Sequence, residues 1–213
     1  MKKYICLAMS FVIAFLLCGC VGLVIKEDKE FEKIRIENSL YINDYFQFSM
    51  KIPEGWTVLD KYISNKLMEW GAGQAGITPS HDFGSLLMVI EKPLGTKIDF
   101  NSSIIITWDD LRSNPDVKNG SHCLEELKTS LLNDPSTTIV EDIHPQYIDS
   151  REFGVLATAV KIKDETINQI YHTIMINGYA ICFLISYKNP DQKQKLMNMI
   201  QSINFTYNGL TEV

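Results

Sequence analysis

The sequence predicts an α+β fold: a largely antiparallel sheet of about six or seven strands, covered by helices on both faces. Three observations predict it. Phe46, Phe48, Met50 and Ile52 alternate with Gln47, Ser49 and Lys51, the period of two that marks a half-buried strand. Leu196, Met199, Ile200 and Ile203 recur at helical spacing behind a helix-start signal. In "YAICFLISY" both sides of the strand are apolar, with Tyr179, Ile181, Phe183 and Ile185 on one and Ala180, Cys182 and Leu184 on the other. An antiparallel strand of that kind needs cover on both faces.

The chain opens with Lys2 and Lys3, is apolar from Tyr4 to Ile25, and turns polar at "KEDKEFEK". A basic start before an apolar core is the layout of a secretory signal. Residues 26 to about 43 are charged and polar with scattered apolar positions and read as a tether. After Pro53 stops the first strand, Ile63, Leu67 and Trp70 define one helix face, which Gly71 and Gly73 end. "SLLMVIEK" and "SIIITW" are strand-like. Leu124, Leu127 and Leu131 mark a second helix, with Ser121 as its expected cap and Pro135 as a stop.

From Thr137 onward the pattern is β-rich, with "FGVLATAVKIK", "TINQIYHTIMI" and "YAICFLISY" as three long strands. Asp164-Glu165 turns the first pair and Asn177-Gly178 the second, the latter a strong hairpin signal. Asn189-Pro190-Asp191-Gln192 caps the last helix, with proline at its first position. "INFTY" offers a final short strand.

Within the leader, Leu17-Cys18-Gly19-Cys20 reads Leu-x-Gly-Cys and resembles the bacterial lipobox. The resemblance implies cleavage after Gly19 and lipidation of Cys20, with residues 1–19 as signal peptide and 20–43 as tether. The alternative is an uncleaved signal anchor, because Tyr4 to Ile25 is long enough to span a bilayer at about 20 residues. Both put the remainder of the chain outside.

The formal charge of −6 becomes more negative once Lys2 and Lys3 leave, which gives no electrostatic reason to bind nucleic acid or anionic lipid. Beyond Cys20 only Cys123 and Cys182 remain; both sit in apolar-periodic segments, and a disulfide between them stays open.

"YFQFSMKIPEGW" and "KLMNMIQSINFT" resemble the opening strand with its Pro-x-Gly-Trp turn, and the closing helix with Ser-Ile-x-Phe, of the PsbP-like fold. That fold is shared by the photosystem II extrinsic subunit PsbP, the Ran-binding Mog proteins and many small bacterial lipoproteins. The resemblance implies an α/β sandwich over residues 44–207, followed by a tail at 208–213. It also implies service as an assembly factor, extrinsic subunit or partner-binding module rather than as an enzyme, and it carries over no functional residue.

Chemistry-bearing motifs are weak. Gly71-Ala72-Gly73-Gln74-Ala75-Gly76 is a literal G-x-G-x-x-G, yet a helix precedes it and no βαβ unit surrounds it. His81, His122, His144 and His172 form no metal-ligand spacing. In "EDIH", Asp142 and His144 share a strand face and Glu141 points away. Asp109-Asp110 reads as a polar turn. No nucleophile signature such as G-x-S-x-G occurs. Trp56, Trp70, His81 and Trp108 lie near element ends and are the candidate lining of a binding cleft, with core packing as the competing role of the tryptophans. The sequence therefore leads us to expect no cofactor, no metal and no catalysis. We expect a lipid-anchored module that binds a protein partner. The alternative is a small-ligand binder with its cleft near the Gly71–Gly84 loop.

Overall fold

The computed structural model describes residues 29–74, 82–114 and 116–205. The leader with Cys20, the tail 208–213, His81 and the side chain of Trp70 lie outside the described residues.

A single 3-10 turn at Glu30–Glu32 leads into β1 (Arg35–Glu37), β2 (Leu40–Asn43) and β3 (Phe48–Lys51). These form a small antiparallel sheet in that order. Then come β4 (Thr57–Val58), α1 (Lys61–Gln74), β5 (Phe83–Ile90), β6 (Ser103–Asp110) and α2 (Gly120–Leu131). The chain continues through β7 (Thr137–Ile148), β8 (Arg151–Ile162), β9 (Glu165–Ile176), β10 (Tyr179–Tyr187) and α3 (Pro190–Gln201). The main sheet has seven strands, ordered β4-β5-β6-β10-β9-β8-β7, with every pairing antiparallel. The α+β class is as expected; the separate three-stranded sheet is not.

Strand β10 lies at the centre and explains the layering. Ile181, Phe183 and Ile185 face one core, where Leu196, Met199 and Ile200 of α3 and Phe48 and Met50 of β3 close over the sheet. Leu184 faces the other core, shared with Met68 of α1 and Leu124, Leu127 and Leu131 of α2. The two-sided apolar strand is thus covered on both faces, and the expected α2 and α3 faces are the buried ones. None of the helices among the described residues is long and apolar enough to cross a membrane.

Several expectations are corrected. The stretch read as a tether up to residue 43 is in part core structure, since Tyr41 and Ile42 of β2 are buried. α1 buries Ser64 and Met68 and leaves Ile63 at the surface, and it runs through Gly71 and Gly73 instead of ending there. α2 is capped by Asn119, whose side chain accepts from the His122 backbone N–H, two residues before the expected cap Ser121. The cause lies in packing. A Cβ on Gly120 would lie 1.7 Å from the Thr173 carbonyl oxygen, so the helix must begin at a glycine pressed against the sheet. Gly154, opposite, admits the same approach. "INFTY" contributes one bridge, Asn204 to Ser49, which is why Ser49 is buried on a face read as polar. The turn between β8 and β9 is Lys163-Asp164, one residue earlier than read.

Candidate functional site

The main sheet has two ends, and the predicted cleft residues divide between them. Trp108 lies on β6 opposite Gly84 of β5. Trp56 precedes β4, whose Thr57 pairs with Ile90 at the other end of β5. Six residues of strand separate the two positions, about 20 Å. Trp56 and Trp108 therefore cannot line one cleft. Both pack against the same core, Trp56 partly buried and Trp108 fully.

At the Trp108 end lie the first described residues, from Lys29 to Glu32. The indole Nε1–H of Trp108 donates to Glu32 Oε1 at 2.6 Å. The Lys29 backbone N–H donates to Glu32 Oε2 at 3.1 Å, and Lys61 Nζ stands 3.7 Å from that same oxygen. Lys61 also donates to the carbonyl of Ser85. Gly84 makes the room, because a Cβ there would lie 2.7 Å from Glu32 Oε1 and 2.8 Å from Trp108 Nε1. Lys29 Nζ sits 4.4 Å from the Trp108 ring centroid and pairs with Asp82 at 3.1 Å. Phe31 inserts edge-on against Trp108, Phe46 and Tyr179 with centroids 5.1, 5.4 and 5.4 Å away.

The rim of this end carries Tyr45, Tyr179, Asp110 and Arg112. Arg112 stacks 4.8 Å over the Tyr179 ring and bonds Asp110 at 2.5 Å. The Arg112 hydrogen bond holds the Asp110 carboxyl below the usual carboxylate range. Asp109 and Asp110, read as a turn, are the last residues of β6; alternation sends Asp109 inward, where it is buried.

The opposite end holds a cleft of about 300 Å³ lined by Glu91, Lys92, Ile98, Asp99, Phe100, Lys188, Asn189 and Gln192. Three of its charged residues, Glu91, Asp99 and Lys188, are held in ion pairs. Lys188 bridges Asp99 at 2.6 Å and Glu165 at 3.0 Å, and Lys195 meets Glu91 at 2.6 Å. Burial opposes ionisation of Glu91, but hydrogen bonds from Lys195 and Ser102 outweigh it and lower its pKa.

The histidines do not converge. His122 lies exposed in the first turn of α2, and His172 is buried within β9. In "EDIH" the strand reading fails for a local reason. Bulges in β7 at Ile139/Glu141 and Glu141/His144 shift the alternation. Glu141 consequently meets His144 at 3.5 Å, and Asp142 turns to Lys128 at 2.5 Å. Among the described residues no cluster of three His, Cys, Asp or Glu could hold a metal ion. Cys123 and Cys182 are both free thiols. In the G-x-G-x-x-G stretch, Gly71 and Gly73 lie inside α1. The role of Glu32 had no signal in the sequence beyond one acid in a charged run.

No family model matches this chain, and no curated protein matches it. Solved structures do. Cyanobacterial PsbP from Synechocystis is 16% identical over 88% of this chain and 98% of its own, at a TM-score of 0.48. LpqN of Mycobacterium tuberculosis, described as involved in cell envelope biogenesis, is 12% identical over 74% and 82%, at 0.44. A Pseudomonas aeruginosa protein of unknown function, described as a putative regulator, is 10% identical over 72% and 88%, at 0.42. The α+β class itself rests on the strand order and helix placement of this chain.

Proposed function

We propose that this protein is a lipid-anchored module on the extracytoplasmic face of a membrane, where its folded domain binds a protein partner without catalysing a reaction. The observation that carries the reading is the Leu-x-Gly-Cys sequence ending at Cys20, with only eight residues between it and Lys29, the first described residue. Acyl chains on the Cys20 sulfur supply the membrane hold, and a domain held there offers its surface to a partner in the same envelope. Multiple acylation suffices for stable anchoring where a single chain does not.

The test replaces the sulfur. Cys20→Ala is expected to abolish incorporation of labelled palmitate and leave the precursor uncleaved. Crosslinking of the wild-type full chain in cells, read by mass spectrometry, is expected to return a recurrent envelope protein. A wild-type chain that takes up no lipid label, or crosslinking that returns no recurrent partner, overturns the corresponding half of the proposal. A screen of small metabolites and sugars by thermal shift separates partner binding from ligand binding, since a ligand selective for the native state raises Tm.

A further inference from the structure

We propose that the Trp108–Tyr179 end of the domain rests on the membrane, with Tyr45 and Arg112 in the lipid headgroup layer, and that Glu32 fixes this orientation. The inference rests on the anchoring reading above. It adds which surface faces the lipid and which is left for a partner.

Chain length comes first. Val21 to Asp28 spans at most about 28 Å when fully extended. Were the apolar run to stay in the bilayer as far as Ile25, only Lys26 to Asp28 would intervene, about 10 Å. Either anchor keeps the entry point of the domain close to the lipid surface.

The entry point is also rigid. Lys29 and Glu32 are tied to Asp82, Trp108 and Lys61, and Phe31 is wedged among three rings. A tether ending in a loose segment would let the domain tumble. One held at Lys29 and Glu32 fixes which end of the sheet stands next to the anchor.

The surface chemistry suits an interface. Tyr45 is 46% exposed, its ring lying 5.0 Å from Phe31 and 4.8 Å from Phe46. Arg112 is exposed beside it on Tyr179. Tyrosine settles at the headgroup level of bilayers, and the Arg112 guanidinium, its Nε and Nη2 held by Asp110, adds a planar cation stacked on Tyr179. Among the described residues at this end, Asp82 and Asp110 answer Lys29 and Arg112. The tether therefore supplies the local concentration and the ring supplies the contact. The twelve residues of β8 carry the sheet about 40 Å away, so the Lys163 turn and the Glu91–Lys188 cleft face outward.

The full chain, purified from membranes and reconstituted into phosphatidylcholine vesicles with a minor phosphatidylglycerol fraction, tests this. A fluorescent unnatural residue is placed at Ser150, in the near turn, or at Lys163, in the far one, against an acceptor on a headgroup lipid. Energy transfer is expected to be several-fold stronger from Ser150. Tyr45→Ser is expected to weaken it, and Glu32→Gln to narrow the difference between the two sites, with unchanged circular dichroism confirming that each variant is folded. Equal transfer from both positions in vesicle-bound protein overturns the orientation while leaving the anchor standing. Protein that fails to float with the vesicles removes both.

Discussion

Glu32 and Trp108, 76 residues apart in sequence, meet at 2.6 Å through one indole N–H and one buried carboxylate oxygen. Hydrogen bonds to charged groups contribute about 1.5–3 kcal/mol, and a buried acceptor that loses its donor is penalised further. Trp108→Phe is therefore expected to destabilise the domain by about 3 kcal/mol, combining lost packing with a stranded carboxylate. Glu32→Gln keeps an acceptor and is expected to cost about half as much. Urea denaturation of both single variants and the double variant measures the coupling. Strictly additive losses would mean that the pair does not act as a unit.

Gly84 is the negative image of that contact. Its missing side chain leaves the space that Glu32 Oε1 and Trp108 Nε1 occupy. Gly84→Ala is expected to cost about 1–3 kcal/mol, the usual range for overpacking, because the glutamate end can shift by a few tenths of an ångström. Gly154→Ala is expected to cost more. Its Cβ would lie 2.4 Å from the Ser121 backbone nitrogen, and backbone cannot swing aside. Midpoints of thermal unfolding rank the two; the reverse order would refute the close-approach argument.

The sequence made some of this legible and hid the rest for physical reasons. The α3 cap was readable because Asn189 and Pro190 act within one turn of chain: Asn189 Oδ1 accepts the Gln192 N–H at 3.0 Å. Asn177-Gly178 was readable because both residues need positive φ, and they adopt 52° and 78°. The equivalent turns at Asn38-Ser39 and Asp149-Ser150 use positive φ without glycine and so carried no such signal. The bulges in β7 were invisible because a strict period of two assumes an uninterrupted ladder. The separation of Trp56 from Trp108 depends on register, which no local pattern encodes.

Burial pushes the Cys182 thiol up to about 12. At pH 8 a thiolate is then scarce, and the thiolate is the reactive species. Alkylation of Cys182 by iodoacetamide in the native protein is expected to be slower than in denaturant by about 100-fold or more. Peptide-level mass spectrometry resolves it from the other cysteines. Native and denatured rates of the same order would show that the strand does not shield the sulfur.

His172 is a buried acid-sensitive group in the central sheet. Desolvation lowers its pKa from 6.5 to about 4; a hydrogen bond with the Phe183 backbone opposes the shift, and His144 adds to it. Below pH 6.5 the unfolded chain takes up a proton that the native state refuses, so this histidine favours unfolding as pH falls. Its contribution to stability is intact above the unfolded pKa and is lost progressively down to about pH 4. The loss amounts to about 3 kcal/mol in all, at about 1.4 kcal/mol per pH unit along the slope. His172→Leu removes the titrating group while keeping an apolar side chain between Val155 and Phe183 in the register. The variant is expected to show a flatter stability profile than wild type between pH 6.5 and 4, whatever its stability at pH 7.5. Urea midpoints at pH 7.5, 5.5 and 4.5 provide the comparison. Parallel profiles for the two proteins would show that other groups govern acid unfolding.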